Sequence, residues 1–512
     1  MFWKHFGWIV LWFVSQFFMN GDAMAQVVPG VLDNYSGSTS AWLNPSNIST
    51  TFVHDDLGLL SVVFSVDNNF AYLPRRTFWP SLIDSLAMNG IWARFEGVQQ
   101  GKTYYYQYPD DDSPRNAYQS FDVALPSLMV TFAGNHAIAF SMRTRAYTSA
   151  MKMPWEIPVL ITESLDYDVI QNVPFSSEGM CLSTMEWVEA DVSYATTAID
   201  MGDLKLDVGA TGKFLMAMSG ASLKIDQLEY SVLDNERLSF RHLDAVARLA
   251  LPLSTTALFS DLDSFIRLTD PLFRGYGFGG DVGLSLTYKR NSMVRPTQRS
   301  ACDDAPVAYW WRLGASLLDV GMARFNNNAI QGRLTGSDFL VNITNFDTVT
   351  RISGALALLD SVVGNTEPAF AAGAPFFMGM PTAMSVQFDA NVYGDFYCNA
   401  TWVQPLSKLF YRSFYHSAVE REPLLSVTPR YETSFFGVSI PVTLYNYSYL
   451  TAGAFVRVGP LTVGTNDFVS LTGLGKTRSI DFMVAVRLKL DRGDCLFDPL
   501  YDACGTRYRR RK

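Results

Sequence analysis

The residue types able to do chemistry are scattered thinly along this 512-residue chain. Its five histidines, His5, His54, His136, His242 and His416, form no spaced pair. A Ser/His hydrolase needs a nucleophile beside an activating base. The nearest approaches in sequence are His136 with Ser141 and His242 with Asp244. Neither belongs to a Gly-x-Ser-x-Gly elbow or a His-Glu-x-x-His zinc helix, so both read as ordinary polar positions. Gly473-Leu474-Gly475-Lys476-Thr477 has the end of a phosphate-binding loop, but Ser470 stands where the first glycine is required. Asp110-Asp111-Asp112 lacks the spaced ligands of an EF-hand and reads as a solvated loop. The five cysteines (181, 302, 398, 495 and 504) show neither a disulfide framework nor zinc spacing. Cys495 and Cys504 are near enough in a polar tail to bridge in an oxidising compartment. Enzymatic activity, a cofactor and a metal site are therefore not expected.

What remains is a set of charges placed at alternate positions, and these must be positioned by strands. From Trp187 to Ala198, Val188, Ala190, Val192, Tyr194 and Thr196 alternate with Trp187, Glu189, Asp191, Ser193 and Ala195. From Leu204 to Met216, Leu206, Val208, Ala210 and Phe214 alternate with Lys205, Asp207, Thr211 and Lys213. Asp200-Met201-Gly202-Asp203 is a tight polar turn between the two. The same period of two recurs at 136–145, 281–289, 384–393 and 480–490.

The chain's opening decides where such strands would sit. Lys4 and His5, the apolar run Phe6–Phe18 and Ala23-Met24-Ala25 before Gln26 have the layout of a secretory signal peptide, residues 1–25. No later apolar run is long enough for a transmembrane helix. Hydrophobic residues make up 48%, aromatics 14% and charged residues only 17%, below the roughly 25% of soluble proteins. In lipid only helices and closed barrels satisfy every backbone group. The alternating runs approach the roughly 9–11 residues that a tilted strand needs to span a bilayer, and aromatics gather at their ends, as at Tyr288, Trp310 and Tyr393. A soluble β-sandwich also alternates, but its strands run nearer to about 5–6 residues. The net charge of -9 leaves no basic face for nucleic acid. The basic end Arg507–Lys512 reads as a solvated terminus.

The fold class that follows is all-β: a transmembrane antiparallel β-barrel of about 12–18 strands. Its parts would be an N-terminal segment at 26–56, the barrel at 57–490 and a periplasmic tail at 491–512. Strands are expected at, among others, 88–96, 119–133, 236–250, 329–342, 435–445 and 449–458. Val349, Ile352, Leu356, Leu359 and Val363 recur at helical spacing and predict a short helix inside or against the barrel. Arg143, Arg145, Asp191, Lys205, Asp207, Lys213, Asp281, Asp389 and Arg487 would face the lumen, either as a neutralising ion-pair network or as a selective passage.

Ser40-Ala41-Trp42-Leu43-Asn44-Pro45-Ser46-Asn47-Ile48 resembles the "A-x-x-N-P-A-x-L" stretch of FadL-like outer-membrane barrels, a group that includes the PorV-type proteins of type IX secretion. It departs from that pattern at Ser46, where alanine is usual. Gly275–Leu284, Met380–Asp389 and Phe396-Tyr397 are similar to stretches of uncharacterised Bacteroidota barrels related to the same group. The resemblance implies a hatch around Asn44 and Pro45 folded into the lumen, in the outer membrane of a Gram-negative cell. It implies either passage of a small hydrophobic solute or a non-transporting barrel that is structural or linked to secretion. The partners would be outer-membrane lipid and a hydrophobic molecule or secretion proteins.

Overall fold

The computed structural model describes residues 32–72, 107, 109, 113–132, 136–163, 165, 168–251, 272–290, 308–349, 352–363, 369–411, 417–472 and 474–490. The expected signal peptide, the strand at 88–96, the acidic triplet, His416, the Cys495/Cys504 pair and the C-terminal tail lie outside them.

Among the described residues, twenty-one strand segments form one sheet. β1 (Asp55–Asn68) leads to β2 (Arg115–Ala124), β3 (Ser127–Phe132), β4 (His136–Met153), β5 (Pro174–Asp200) and β6 (Leu204–Val232). Then come β7 (Arg237–Ala250), β8 (Gly275–Lys289), β9 (Tyr309–Phe325), β10 (Ile330–Asn342) and β11 (Phe370–Ala372). The last third holds β12 (Phe376–Gly379), β13 (Ala383–Tyr393), β14 (Phe396–Pro405), β15 (Leu424–Glu432), β16 (Phe436–Ser439) and β17 (Val442–Tyr445). β18 (Tyr449–Ala452), β19 (Ala454–Val458), β20 (Leu461–Thr465) and β21 (Ser479–Leu490) complete the chain. β21 pairs antiparallel with β1, Leu490 opposite Asp55 and Ser479 opposite Asp67, and closes the sheet. The result is a closed 14-stranded antiparallel barrel.

Several segments are halves of one wall strand, and the breaks have chemical causes. Proline offers no N–H to a ladder. Pro126 separates β2 from β3, Pro381 separates β12 from β13, and Pro441 separates β16 from β17. The expected strands at 119–133 and 435–445 are therefore each broken in two. Gly453 divides β18 from β19, where an added Cβ would meet the Thr465 carbonyl oxygen at 2.2 Å.

Two expected wall strands lie elsewhere. β5 and β6 run for 27 and 29 residues, beyond what the wall needs. The half of β6 from Leu204 to Ala217 pairs with β8 in the wall, whereas Gly220–Val232 pairs with β7. β7 then pairs with β10, and β10 with β11. The expected strands at 236–250 and 329–342 thus form a flap that extends the β5–β6 hairpin out of the barrel. Phe240 and Phe339 stack on it at 5.0 Å. The short helices α1 (Glu156–Glu163) and α2 (Ile352–Val363) belong to its apolar core through Leu160, Leu358 and Leu359. The helix expected inside or against the barrel packs on the flap.

The two barrel ends differ. Met201–Asp203, Gly394-Asp395, 433–435 and Gly459-Pro460 are tight turns at the end where β1 begins. The connections 69–114, 154–173, 406–423 and 466–478 lie at the other end. Short turns on the periplasmic side and long loops outside are the outer-membrane pattern, and most of the short turns lie at the end where β1 begins. Outward side chains along the wall are apolar: Val192, Phe214, Val282, Leu313, Phe388 and Val463 are exposed, and Phe278 is 72% exposed. Tyr288, Trp310, Tyr393 and Phe396 ring the short-turn end as exposed aromatics, the place of an interfacial girdle.

Candidate functional site: the occluded lumen

The inward side chains divide the lumen into a charged arc and an apolar arc, with the N-terminal segment lying across both. On the charged arc, Arg143 and Arg145 project from β4 beside Glu189 and Asp191 of β5. Arg143 pairs with Glu189, with Asp191 at 3.1 Å and with Asp122 at 3.5 Å. Arg145 pairs with Asp122 at 3.2 Å, Glu189 at 3.3 Å and Asp319 at 2.8 Å. Lys213 joins Asp281 at 2.8 Å and Asp319 at 2.5 Å, and Arg421 reaches Asp319 from the segment before β15. All nine groups are buried. A buried ion pair gains little net stability over an apolar filling, because desolvation offsets attraction. Its value here is positional: the network ties six strands and the segment before β15 into one geometry.

Asp319 is the hub, and a local irregularity puts it there. The β8–β9 register shifts between Gly280 and Val282, and Asp319 has φ 53°. The extra residue turns both Leu318 and Asp319 inward, as a β-bulge does. The Asp319 N–H then donates to Asp281 Oδ1 at 2.6 Å. The expected inward set omits Asp319 because a strict period of two cannot hold two adjacent inward residues. Leu317-Leu318-Asp319 was the available signal, a break in alternation inside a long run.

The N-terminal segment enters from the end where β1 begins and folds into the barrel as two 3-10 turns, Gly37–Trp42 and Pro45–Ser49. Asn44 caps the second turn by accepting from the Ser46 N–H at 3.0 Å. Its amide donates to the Leu284 carbonyl at 3.1 Å and to Gln387 Oε1 at 3.1 Å, on opposite neighbours of β9. Pro45 lies against Gly209 and Gly283 of β6 and β8, positions where a Cβ would collide with the segment. Lys205 Nζ pairs with Asp207 at 2.9 Å and reaches the Ser49 carbonyl at 3.5 Å. Ser316 donates to the Leu43 carbonyl at 2.6 Å, and Trp42 lies under the Arg143 guanidinium at 5.0 Å.

On the far side, Arg487 donates to the Ser36 carbonyl and to Thr39 Oγ1 at 3.1 Å. Asp389 holds Arg430 by two bonds of 2.7 Å and accepts from Tyr309 at 2.5 Å. Asn34 in turn donates to Tyr309 at 2.8 Å. Asp33 pairs with Arg457 at 2.7 Å. Burial alone would raise the Asp33 carboxyl, but the Arg457 and Arg487 guanidinium groups outweigh it and hold it below the usual carboxylate range. A small cleft opens beside this contact, lined by Asp33, Arg430, Glu432, Phe455, Arg457 and Thr462 among others. Of the nine charges read from the sequence, Arg143, Arg145, Asp191, Lys213 and Asp281 meet in the charged network. Lys205, Asp207, Asp389 and Arg487 instead surround the inserted segment.

The apolar arc lies mainly on strands outside the Asp319 network and meets it at β9, where Leu318 precedes Asp319. Leu43 of the inserted segment shares a buried cluster with Val63 of β1, Leu318, Ala383, Val403, Leu424, Phe455 and Met483. The two histidines considered for hydrolysis lie outside the lumen: His136 is 2.7 Å from the Tyr194 hydroxyl, and His242, on the flap, is 3.4 Å from Ser337 Oγ.

Residues 85–466 match the model of a family described as a family of unknown function, DUF5723. No curated protein matches the chain in sequence. Among solved structures, the toluene transporter TbuX of Ralstonia pickettii is 7% identical over 89% of this chain and 94% of its own, with a TM-score of 0.29. The toluene transporter TodX of Pseudomonas putida is 8% identical over 88% and 93%, with a TM-score of 0.37. A FadL homologue of Pseudomonas aeruginosa is 11% identical over 88% and 93%, with a TM-score of 0.26. Likeness at that level is no guide to what passes through this barrel.

Proposed function

The chain belongs to the DUF5723 family, and we propose that it is a Gram-negative outer-membrane barrel that admits a small hydrophobic solute past an N-terminal hatch. The observation that carries this reading is the apolar arc. Val63, Leu424, Phe455 and Met483 converge on Leu43 of the inserted segment, on the side of the lumen away from the Asp319 network. A solute descending that side would meet Leu43 and Trp42 before the periplasm, and the 3-10 turns would have to shift to let it pass. Two short 3-10 turns held by side-chain hydrogen bonds are the sort of element that opens locally at small cost. The charged arc cannot serve as the route, because moving a solute through it would separate buried ion pairs.

Uptake of a radiolabelled monoaromatic hydrocarbon by vesicles containing the purified barrel tests the reading. The expected result is uptake above barrel-free vesicles, reduced by Leu424→Lys in a barrel that still shows heat-modifiable mobility. Uptake no greater than in barrel-free vesicles would sink it. A second reading, a non-transporting structural or secretion-linked barrel, is favoured by the breadth of the hatch's anchoring, which reaches β6, β8, β9, β13, β19 and β21. It predicts co-purifying envelope proteins and no uptake.

A further inference from the structure

Above the apolar arc, at the long-loop end, the lumen holds a second group of acids that the charged network does not neutralise. Asp67 is the next-to-last residue of β1, Asp481 lies diagonally across from it on β21, and Glu422 enters from the segment before β15. The Asp67 and Glu422 carboxyls face one another at hydrogen-bond range. All three residues are at least nine-tenths buried. One Asp481 oxygen accepts from the Asn466 N–H at 2.5 Å and from Thr465 at 3.1 Å. The other Asp481 oxygen, one oxygen of Asp67 and one of Glu422 have no hydrogen-bond partner among the described residues.

Two further polar side chains are buried at this place. Tyr445 is 2% exposed, and its unpartnered hydroxyl faces Asp481, Glu422 and Asp67. Asn466 is fully buried, with its side-chain amide beside the Asp481 carboxylate. The basic group near Asp67, Arg478, has its guanidinium over the rings of Tyr72 at 5.6 Å and Tyr449 at 5.7 Å. Asp467 adds a further negative charge, but both its oxygens are occupied, by the Ser470 N–H and the Ser479 hydroxyl.

We propose that this mouth of the lumen binds a hard cation of the Ca²⁺ class, anchored by Asp67 and Glu422, with Asp481, Asn466 Oδ1 and the Tyr445 hydroxyl around it. Two buried carboxyls in contact cannot both carry charge unless something positive lies between them. A shared proton would meet that one demand and leave three other buried oxygens unsatisfied, each at a cost of about 1–3 kcal/mol. A hard cation takes oxygen ligands of this mixed kind, carboxylate, amide carbonyl and water, in flexible geometry. No three carboxylates among the described residues converge tightly enough to ligate an ion unaided, so water completes the shell. Such an ion would join β1 and β21 to the inserted segment before β15 and to the loop after β20. It would set the width of the outer mouth, independently of what the lumen passes.

Purified barrel in detergent, stripped with chelator, is titrated with Tb³⁺ while tyrosine-sensitised emission is followed. Ca²⁺ then competes, and the temperature of the heat-modifiable transition is compared in Ca²⁺ and in chelator. The expected result is saturable emission displaced by Ca²⁺, affinity reduced roughly tenfold or more by Glu422→Gln, and a higher transition temperature in Ca²⁺. Equal emission from wild type and Glu422→Gln would overturn the proposal and leave a proton-bridged pair. If Glu422→Gln does not fold, the wild-type comparison decides: a transition temperature indifferent to Ca²⁺ overturns the site.

Discussion

At the scale of single residues, the lumen is organised by Asp319. Its carboxylate answers three cations, Arg145, Lys213 and Arg421, at a position almost without solvent. Asp319→Asn preserves the side chain's size and removes the charge. Arg145 and Lys213 keep Glu189 and Asp281, whereas Arg421 is left with no other ion-pair partner among the described residues. Breaking a buried network by removing one partner typically costs about 3–5 kcal/mol, and that loss is expected in equilibrium unfolding by urea. Coupling identifies the cause. In a cycle with Lys213→Met, the double variant should cost less than the sum of the singles, since each substitution relieves a charge the other strands. Additive losses would mean that Asp319 matters for the bulge and not for the cations.

At the scale of elements, the hatch owes its place as much to missing side chains as to bonds. An added Cβ at Gly209 would stand 2.5 Å from the backbone of Pro45 and Ser46, and one at Gly283 would stand 2.1 Å from Asn44 Oδ1. Backbone cannot swing aside as a side chain can, so Gly209→Ala should lift the Pro45–Ser49 turn from the wall while the barrel stays closed. Limited proteolysis checks this: cleavage between residues 32 and 54 should quicken in Gly209→Ala, with heat-modifiable mobility unchanged. Equal cleavage rates would show the hatch adjusts around a methyl group.

The strands of the wall were readable because lipid and lumen impose opposite polarities on neighbouring residues, as along Trp187–Ala195. The flap was not readable. β7 and β10 alternate as wall strands do, and what excludes them is that β6 changes partner between Ala217 and Gly220, a pairing made across long sequence separations. β20, only five residues long, was too short to register as a period, and the bulge at Asp319 defeats any strict period. The acidic mouth was hidden for a related reason: Asp67, Glu422 and Asp481 come from distant parts of the chain and meet only on closure of β21 against β1.

At the scale of the whole molecule, the surface has two regimes that a sequence does not distinguish. Val282 points outward from the middle of β8 and is 55% exposed; Leu340 points outward from β10 on the flap and is 60% exposed. Exposure alone treats them alike, but their surroundings differ. Val282 belongs to a belt with Phe278 and Leu284 on its own strand and Leu313 on β9, whereas Leu340 lies beyond the wall, where β6 has left β8 for β7. If the belt meets hydrocarbon, Val282→Arg should cost about 2–4 kcal/mol in a bilayer. If the flap stands in water, Leu340→Arg should fall within about 0.5 kcal/mol of wild type. Both would be measured by reversible unfolding from vesicles. Detergent gives a further contrast, because a micelle deforms around a buried charge and should shrink the Val282→Arg penalty. Equal costs at the two sites would place the flap in lipid too, and the long-loop end of the barrel would then begin at its tip.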